Sequence, residues 1–454
     1  MIGNIALLFF SFLFICILTI YLAKVQWDID IVDIYIIFVL LHFGFYPFIR
    51  GLYFGKDVIF DFRDANPLVI GLVFGHVLLI LAIIRFVSWY FPINITNYLN
   101  VRNIIQQCSR INKYILLCTY AVLILFQIIS YYKYGVKTYI MSDDFARIGK
   151  DLPYWFTSIR TIYPLLSFIV FLGLISSLLK SSGYHKYIWL ILTIVFLPII
   201  TIYGRRLFLA MIVVWAILWF TENKKDIFSV KYLKIGLVLV VSFLLFSNLF
   251  QAYRDVFQKV GKVDLAKLEN PFVAVINFNP TLENLRFRPG TWEFNFLVFN
   301  NQFREPGMTT KGQVTWEGIK SSIPRIFWPG KHFLWIDEVL ADLYRVEKRD
   351  IDIGKNIFGV GQVDFGYFSI IIVPLIILTI IVIMGALIKM TMEYPTFLWL
   401  FSANILFYLI NIEENGNEMF YMLRNIGLIF MIFGFYLVAI KIVNLRIPAK
   451  VRSL

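Results

Sequence analysis

Residues 365–389 read FGYFSIIIVPLIILTIIVIMGALIK, and only Lys389, at the very end, carries a charge. A run of about 20 apolar residues matches the hydrocarbon thickness of a bilayer at 1.5 Å per helical residue. It is too long for a buried strand, and too uniformly apolar for a helix with one wet face. The glycine-spaced stretch Gly359-Val360-Gly361-Gln362-Val363-Asp364 enters it. These glycines are expected to permit close backbone approach. Asp364 is expected to cap the helix that follows, where the helix dipole favours a carboxylate. The glycine spacing does not suit a nucleotide-binding loop, which needs a strand before it and a helix after it.

The same pattern recurs along the chain. Apolar runs lie near 2–23, 31–50, 67–88, 112–132, 159–179, 187–203, 206–221, 232–251, 365–389, 394–412 and 423–443. The expected fold class is therefore an all-α polytopic membrane protein with about eleven transmembrane helices. Composition agrees: of 454 residues 59% are hydrophobic and 16% charged, with mean hydropathy +0.76. A soluble domain carries about 25% charged residues, so a single soluble core and a disordered chain are both excluded. The first run lacks a basic leader and a small-residue cleavage site, and it reads as a retained span.

The polar remainder divides the chain. Residues 1–251 hold the first eight spans and residues 365–454 the last three, with a basic tail. Between them, residues 252–364 are too polar to cross lipid and form one large, mostly helical loop domain interrupted by Pro271, Pro280, Pro289, Pro306, Pro324 and Pro329. Lys441, Arg446, Lys450 and Arg452 place the C-terminus in the cytoplasm by the positive-inside rule. Alternation through eleven spans then puts the loop domain outside. The net charge of +13 is explained by topology rather than by nucleic acid. Cys16, Cys108 and Cys118 fall in or beside spans, so no disulfide framework and no metal cluster is expected.

Four groups of residues carry chemistry. Gly204-Arg205-Arg206 separates two short spans, and paired guanidiniums at that depth suit a phosphate as well as they suit a snorkelling turn. Ser321-Ser322-Ile323-Pro324-Arg325-Ile326-Phe327-Trp328-Pro329-Gly330-Lys331-His332 fixes Arg325, Lys331 and His332 between prolines, with Trp328 and Trp335 as platforms on which a sugar ring can stack. Arg286 and Arg288 precede it. Arg424 opens the last span, behind the acidic turn Glu413-Glu414-Asn415-Gly416-Asn417-Glu418. His42 and His76 lie inside apolar helices, where an ionisable side chain is either a satisfied interior donor or a functional group.

Taken together, Tyr203-Gly204-Arg205-Arg206, Ile323-Pro324-Arg325 with Trp328-Pro329-Gly330-Lys331, and Val363-Asp364-Phe365-Gly366-Tyr367 after one large external loop resemble the O-antigen polymerase family, the bacterial oligosaccharide repeat unit polymerases. The resemblance covers roughly residues 187–443. It implies a GT-C-type glycosyltransferase of the bacterial inner membrane with a periplasmic loop domain and active site. Its donor and acceptor would be undecaprenyl-diphosphate-linked oligosaccharides, joined by block transfer with no metal and no cofactor, alongside a chain-length regulator as a further partner. Arg205, Arg206, Arg325 and Arg424 would hold the pyrophosphate, with Arg288 and Lys331 as further contacts. Asp364, Glu338 or His332 would activate the acceptor hydroxyl. O-antigen ligase is the nearest alternative enzyme, and a lipid-linked oligosaccharide flippase the alternative from another class.

Overall fold

The computed structural model describes residues 2–25, 30–52, 65–90, 113–134, 181–201, 291–323, 336–344, 355–394 and 415–446, with isolated positions between 166 and 178, at 273 and 328, and between 397 and 412. The described elements are all helical, with no strand among them. In chain order they are α1 (Ile2–Val25), α2 (Ile31–Leu52), α3 (Pro67–Tyr90), α4 (Lys113–Tyr134), α5 (Tyr184–Thr201), α6 (Thr291–Arg304), α7 (Gln313–Ser322), α8 (Ile336–Tyr344), α9 (Ile357–Phe365), α10 (Ser369–Thr391) and α11 (Asn415–Arg446).

Four helical stretches are long and apolar enough to cross a membrane: Ile2–Lys24, Ile31–Ile49, Pro67–Tyr90 and Ile357–Thr391. Lys113–Phe126, Tyr184–Phe196 and Met422–Val438 are shorter apolar helices. The expected spans at 206–221 and 232–251 lie outside the described residues. Each long helix buries one set of large apolar side chains and exposes another. On α3, Val73, Phe74 and Val77 are buried while Leu72, Leu79 and Phe86 are exposed. So much exposed apolar surface on ordered helices suits lipid and not water. Trp89 and Tyr90 project at the end of α3, as interfacial aromatics do.

Local sequence sets the helix ends. Asn66 accepts from the Leu68 amide at 3.0 Å, and Pro67 fills the first helical position, which needs no donor. Asp30 and Asp33 cap α2 reciprocally: the Asp33 amide donates to Asp30 Oδ1 at 2.7 Å and the Asp30 amide to Asp33 Oδ2 at 3.0 Å. α1 and α2 form an antiparallel hairpin, with Phe14 and Ile15 against Gly44 and Leu8 against Gly51. α3 returns parallel to α1 through Phe10 and Phe14, whose rings meet Phe74 at 5.6 and 4.9 Å.

The polar segment does not stand apart from this bundle. α6 has two apolar faces. Trp292, Phe296 and Phe299, at helical spacing, join the core of the spans, and Trp292 meets Phe74 at 5.9 Å. Phe294 and Val298, on another face, join a second core with Val314, Val339, Leu340, Val360 and Val363. Phe74 and His76 lie seven and nine residues into α3 from Pro67. At the helical rise, α6 therefore sits about 10–14 Å below that end of the bundle. Within the segment read as a loop domain, α6 thus packs against α3.

The apolar run that decides the fold class is itself broken. Gly366 has φ +56, donates its amide to the Gln362 carbonyl and ends α9. That positive φ favours glycine. A one-turn 3-10 segment, Gly366–Phe368, then leads into α10. α9 folds back on α10 so closely that a methyl group at Gly361 would overlap Val373. The span expected to open at 365 opens at Ser369.

Candidate functional site

The site is the corner where α6, α7, α9 and α11 meet. α9 is its centre, with every residue from Ile357 to Asp364 buried. Asn356 caps it by accepting from the Gly359 amide at 2.9 Å, and the Gly416 amide at the start of α11 donates to the Lys355 carbonyl at 3.0 Å.

Asp364 is expected to cap the helix that follows it. It occupies the last turn of α9 instead and caps α7, about fifty residues upstream. Its Oδ1 accepts from the Thr310 hydroxyl and from the Val314 amide at 3.0 Å. Its Oδ2 accepts from the Thr315 amide at 2.7 Å and the Thr315 hydroxyl at 2.5 Å. The N-cap position of α7 is Gly312, which has no side chain to do this. The physical reason is supply and demand: α7 opens with orphan amides, and the buried carboxylate needs donors. Four donors fill the two carboxylate oxygens, which makes the side chain a good anchor. The carboxylate also occupies the helix terminus that would otherwise attract an anion.

The loop between α6 and α7 is held against the same turn of α9. The Thr310 amide donates to the Val363 carbonyl at 3.0 Å. Gln302 Nε2 donates to the Met308 carbonyl at 3.1 Å and the Gln362 carbonyl at 2.8 Å. The loop also carries the single non-glycine left-handed residue among those described, Lys311 at φ 52. From Gln302 a buried chain runs into the spans. Gln362 Nε2 donates to Gln302 Oε1 at 2.7 Å, and the Ser369 hydroxyl donates to Gln362 Oε1 at 2.7 Å. His76 Nε2 lies 2.8 Å from Ser369 Oγ.

Cations border this corner. Lys320 pairs with Glu317 at 2.5 Å, both largely buried on α7. Lys355 is buried beside the cap of α9. The ring of Phe420 lies over Gly318 of α7. Arg424 follows one turn later on the same stripe of α11 and is half-buried. Glu338 is half-buried on α8, next to Val339 and Leu340 of the second core. Trp328 is exposed. Arg205, Arg206, Arg288, Arg325, Lys331, His332 and Trp335 lie outside the described residues.

No family model, no curated protein and no solved structure matches this chain. The corner has therefore to be read from its own chemistry. Of the residues expected from sequence, it brings together Asp364 and the stripe of α11 that bears Arg424, through α7. Glu338 is adjacent in sequence to Val339 and Leu340, which join the second core beside the corner. Gln302, Gln362, Ser369, Thr310 and Thr315 had no sequence signal beyond being polar residues within or beside apolar helices.

A second polar cluster lies at the other end of α1–α3. Tyr21 donates to Asp33 Oδ1 at 2.5 Å, and Arg85 Nη1 lies 3.2 Å from Asp33 and 3.5 Å from Asp30. One guanidinium shared between two carboxylates leaves the cluster net acidic. Burial, then the Asp33 charge, pushes the Asp30 carboxyl up to about 6.

Proposed function

We propose that this chain is an inner-membrane glycosyltransferase of eleven spans and GT-C-type fold. It lengthens a surface polysaccharide by block transfer between undecaprenyl-diphosphate-linked oligosaccharides on the periplasmic side. The observation that supports the reading is that one segment quoted for the family resemblance, Val363-Asp364-Phe365-Gly366-Tyr367, meets at one corner the helix that leads into a second and the helix that carries Arg424. Asp364, from Val363-Asp364-Phe365-Gly366-Tyr367, anchors α7. α7 runs directly into Ile323-Pro324-Arg325. α11, which carries Arg424, packs across the middle of α7.

In this reading a hydroxyl oxygen of the incoming repeat unit attacks the anomeric carbon of the growing chain. The bond from that carbon to the phosphate oxygen breaks, and undecaprenyl diphosphate leaves. Negative charge develops on the diphosphate, so fixed guanidinium groups lower the barrier more than they stabilise the ground state. Arg205, Arg206, Arg325 and Arg424 are assigned that role, with Arg288 and Lys331 as further contacts. The hydroxyl proton passes to Glu338 or His332. Asp364, with both oxygens engaged, is a positioning residue. Trp328 and Trp335 offer faces for sugar rings.

A strain lacking the gene tests this directly. It is expected to attach single repeat units to its surface lipid and no polymer. Complementation by the native chain restores polymer, and Arg205→Ala or Arg206→Ala at equal expression does not. Loss of all attached repeat units would indicate a ligase, and normal polymer would remove the proposal.

A further inference from the structure

We propose that His76, a residue of span α3, is a positioning residue for the corner. It holds the α6–α7 loop in place through a one-way chain of buried hydrogen bonds. For its effect on turnover this rests on the polymerase reading; for the geometry it does not.

The direction of the chain follows from its far end. The carbonyls of Met308 and Gln362 can only accept, so the Gln302 amide nitrogen must face them. Gln302 Oε1 is then the acceptor for the Gln362 amide nitrogen, and Gln362 Oε1 the acceptor for the Ser369 hydroxyl. Ser369 has one proton and has given it to Gln362. It therefore accepts from His76, and Nε2 of His76 carries the hydrogen. Nδ1 is left with its lone pair. That nitrogen is buried, with no hydrogen-bond partner among the described residues, and Phe299 packs on the ring at 5.1 Å.

All four side chains are buried, so none can exchange its partner for water. Removing the donor at the His76 end leaves Ser369 Oγ with an unfilled buried acceptor site, so Ser369 is less firmly held and the Gln362–Gln302 pair that fastens the loop loses its fixed end. His76 and Ser369 are far apart in sequence, on α3 and α10. The chain thus ties two spans to residues 308–310, which the Thr310 amide and hydroxyl in turn fasten to Val363 and Asp364.

The test uses the full-length protein in nanodiscs, with two readouts that need no glycan. Nitrogen-15 spectra of histidine-labelled protein are expected to show the neutral Nε2–H tautomer for His76. A Nδ1–H tautomer or an imidazolium would overturn the proposal. Trypsin cleavage after Lys311, an exposed residue of the loop, reports how often the loop opens. His76→Leu is expected to speed it by about tenfold, the effect of losing one buried hydrogen bond, and Ser369→Ala, which removes two, by at least as much. His76→Gln, whose amide nitrogen reaches close to the Nε2 position, restores protection, while the shorter His76→Asn does not. Unchanged cleavage in both His76→Leu and Ser369→Ala overturns the proposal, and Ser369→Ala carries the test alone if His76→Leu fails to fold. In a polymerisation assay His76→Leu is expected to lower kcat with KM for the lipid-linked unit unchanged; the reverse pattern would place His76 in substrate binding instead. A native protein that makes no polymer sinks the polymerase reading and leaves the two glycan-free readouts standing.

Discussion

Replacing Asp364 by Asn separates an anchor from a base. The substitution keeps the shape of the side chain and removes its charge. The remaining oxygen still accepts two of the four donors. The amide nitrogen must face either the Val314 or the Thr315 backbone N–H, donor against donor. Hydrogen bonds to a charged group contribute about 1.5–3 kcal/mol each, and one is lost outright while the others lose their charge assistance. The favourable contact of a carboxylate with the α7 terminus, about 0.3–2 kcal/mol, goes as well. A local destabilisation of about 3 kcal/mol follows, confined to α7 and the loop before it. At about 1.4 kcal/mol per factor of ten, that is roughly a hundredfold faster amide exchange in residues 308–322. Hydrogen-exchange mass spectrometry in nanodiscs reads it, with α3 and α10 as internal controls. Thr310→Val and Thr315→Val should each give a smaller rise in the same peptides. If Asp364→Asn abolished polymer formation with exchange in 308–322 unchanged, the carboxylate would be acting on substrate. The capping argument would then be wrong.

Other perturbations probe the packing and the far cluster. Gly361→Ala forces a methyl against Val373 and should cost about 1–3 kcal/mol, read as a lower Tm. Val373→Ala in the same chain should recover most of that loss, and strict additivity of the two would argue against direct contact. Arg85→Gln removes the only described cation facing Asp30 and buried Asp33 and, the guanidinium being partly exposed, should destabilise the α1–α3 end by about 1 kcal/mol. The Asp30 carboxyl, raised to about 6, binds its proton more tightly folded than unfolded. Its contribution is therefore fully present below the unfolded value near 4 and is lost as pH rises through 6. Thermal melts of the native chain should fall across that window. Asp30→Asn, which preserves the cap on α2, should flatten the profile, and an unchanged slope would exclude Asp30 as its source.

Much of this architecture is legible in the sequence because lipid imposes length. The expected runs 2–23 and 67–88 became Ile2–Val25 and Pro67–Tyr90, with Asn66-Pro67 marking the second start. The close approach promised by Gly359 and Gly361 is realised against Phe294 and Val373. The break at Gly366 was hidden because it falls one residue inside the apolar run, and hydropathy does not distinguish a continuous helix from one folded back on itself. The destination of Asp364 was hidden for another reason. A carboxylate near a helix start looks the same in sequence whether it serves the next helix or one far upstream, and only packing brings the orphan amides of Val314 and Thr315 to it. The role of Ser369 depended likewise on which span came to lie beside α10. His76 stood out only as an ionisable residue in an apolar run. The segment holding α6 was legible only as helical and too polar to span, and nothing in it marked Trp292, Phe296 and Phe299 as a face that packs on the spans.

The most direct test adds purified protein in nanodiscs to a defined undecaprenyl-diphosphate-linked repeat unit, with a chelator present, and resolves the products on a gel. A ladder of regularly spaced glycans is expected from the native chain, and none from Arg205→Ala or Arg206→Ala. Recovery of the starting lipid alone, from correctly folded protein, would contradict the proposal that this chain joins lipid-linked oligosaccharides.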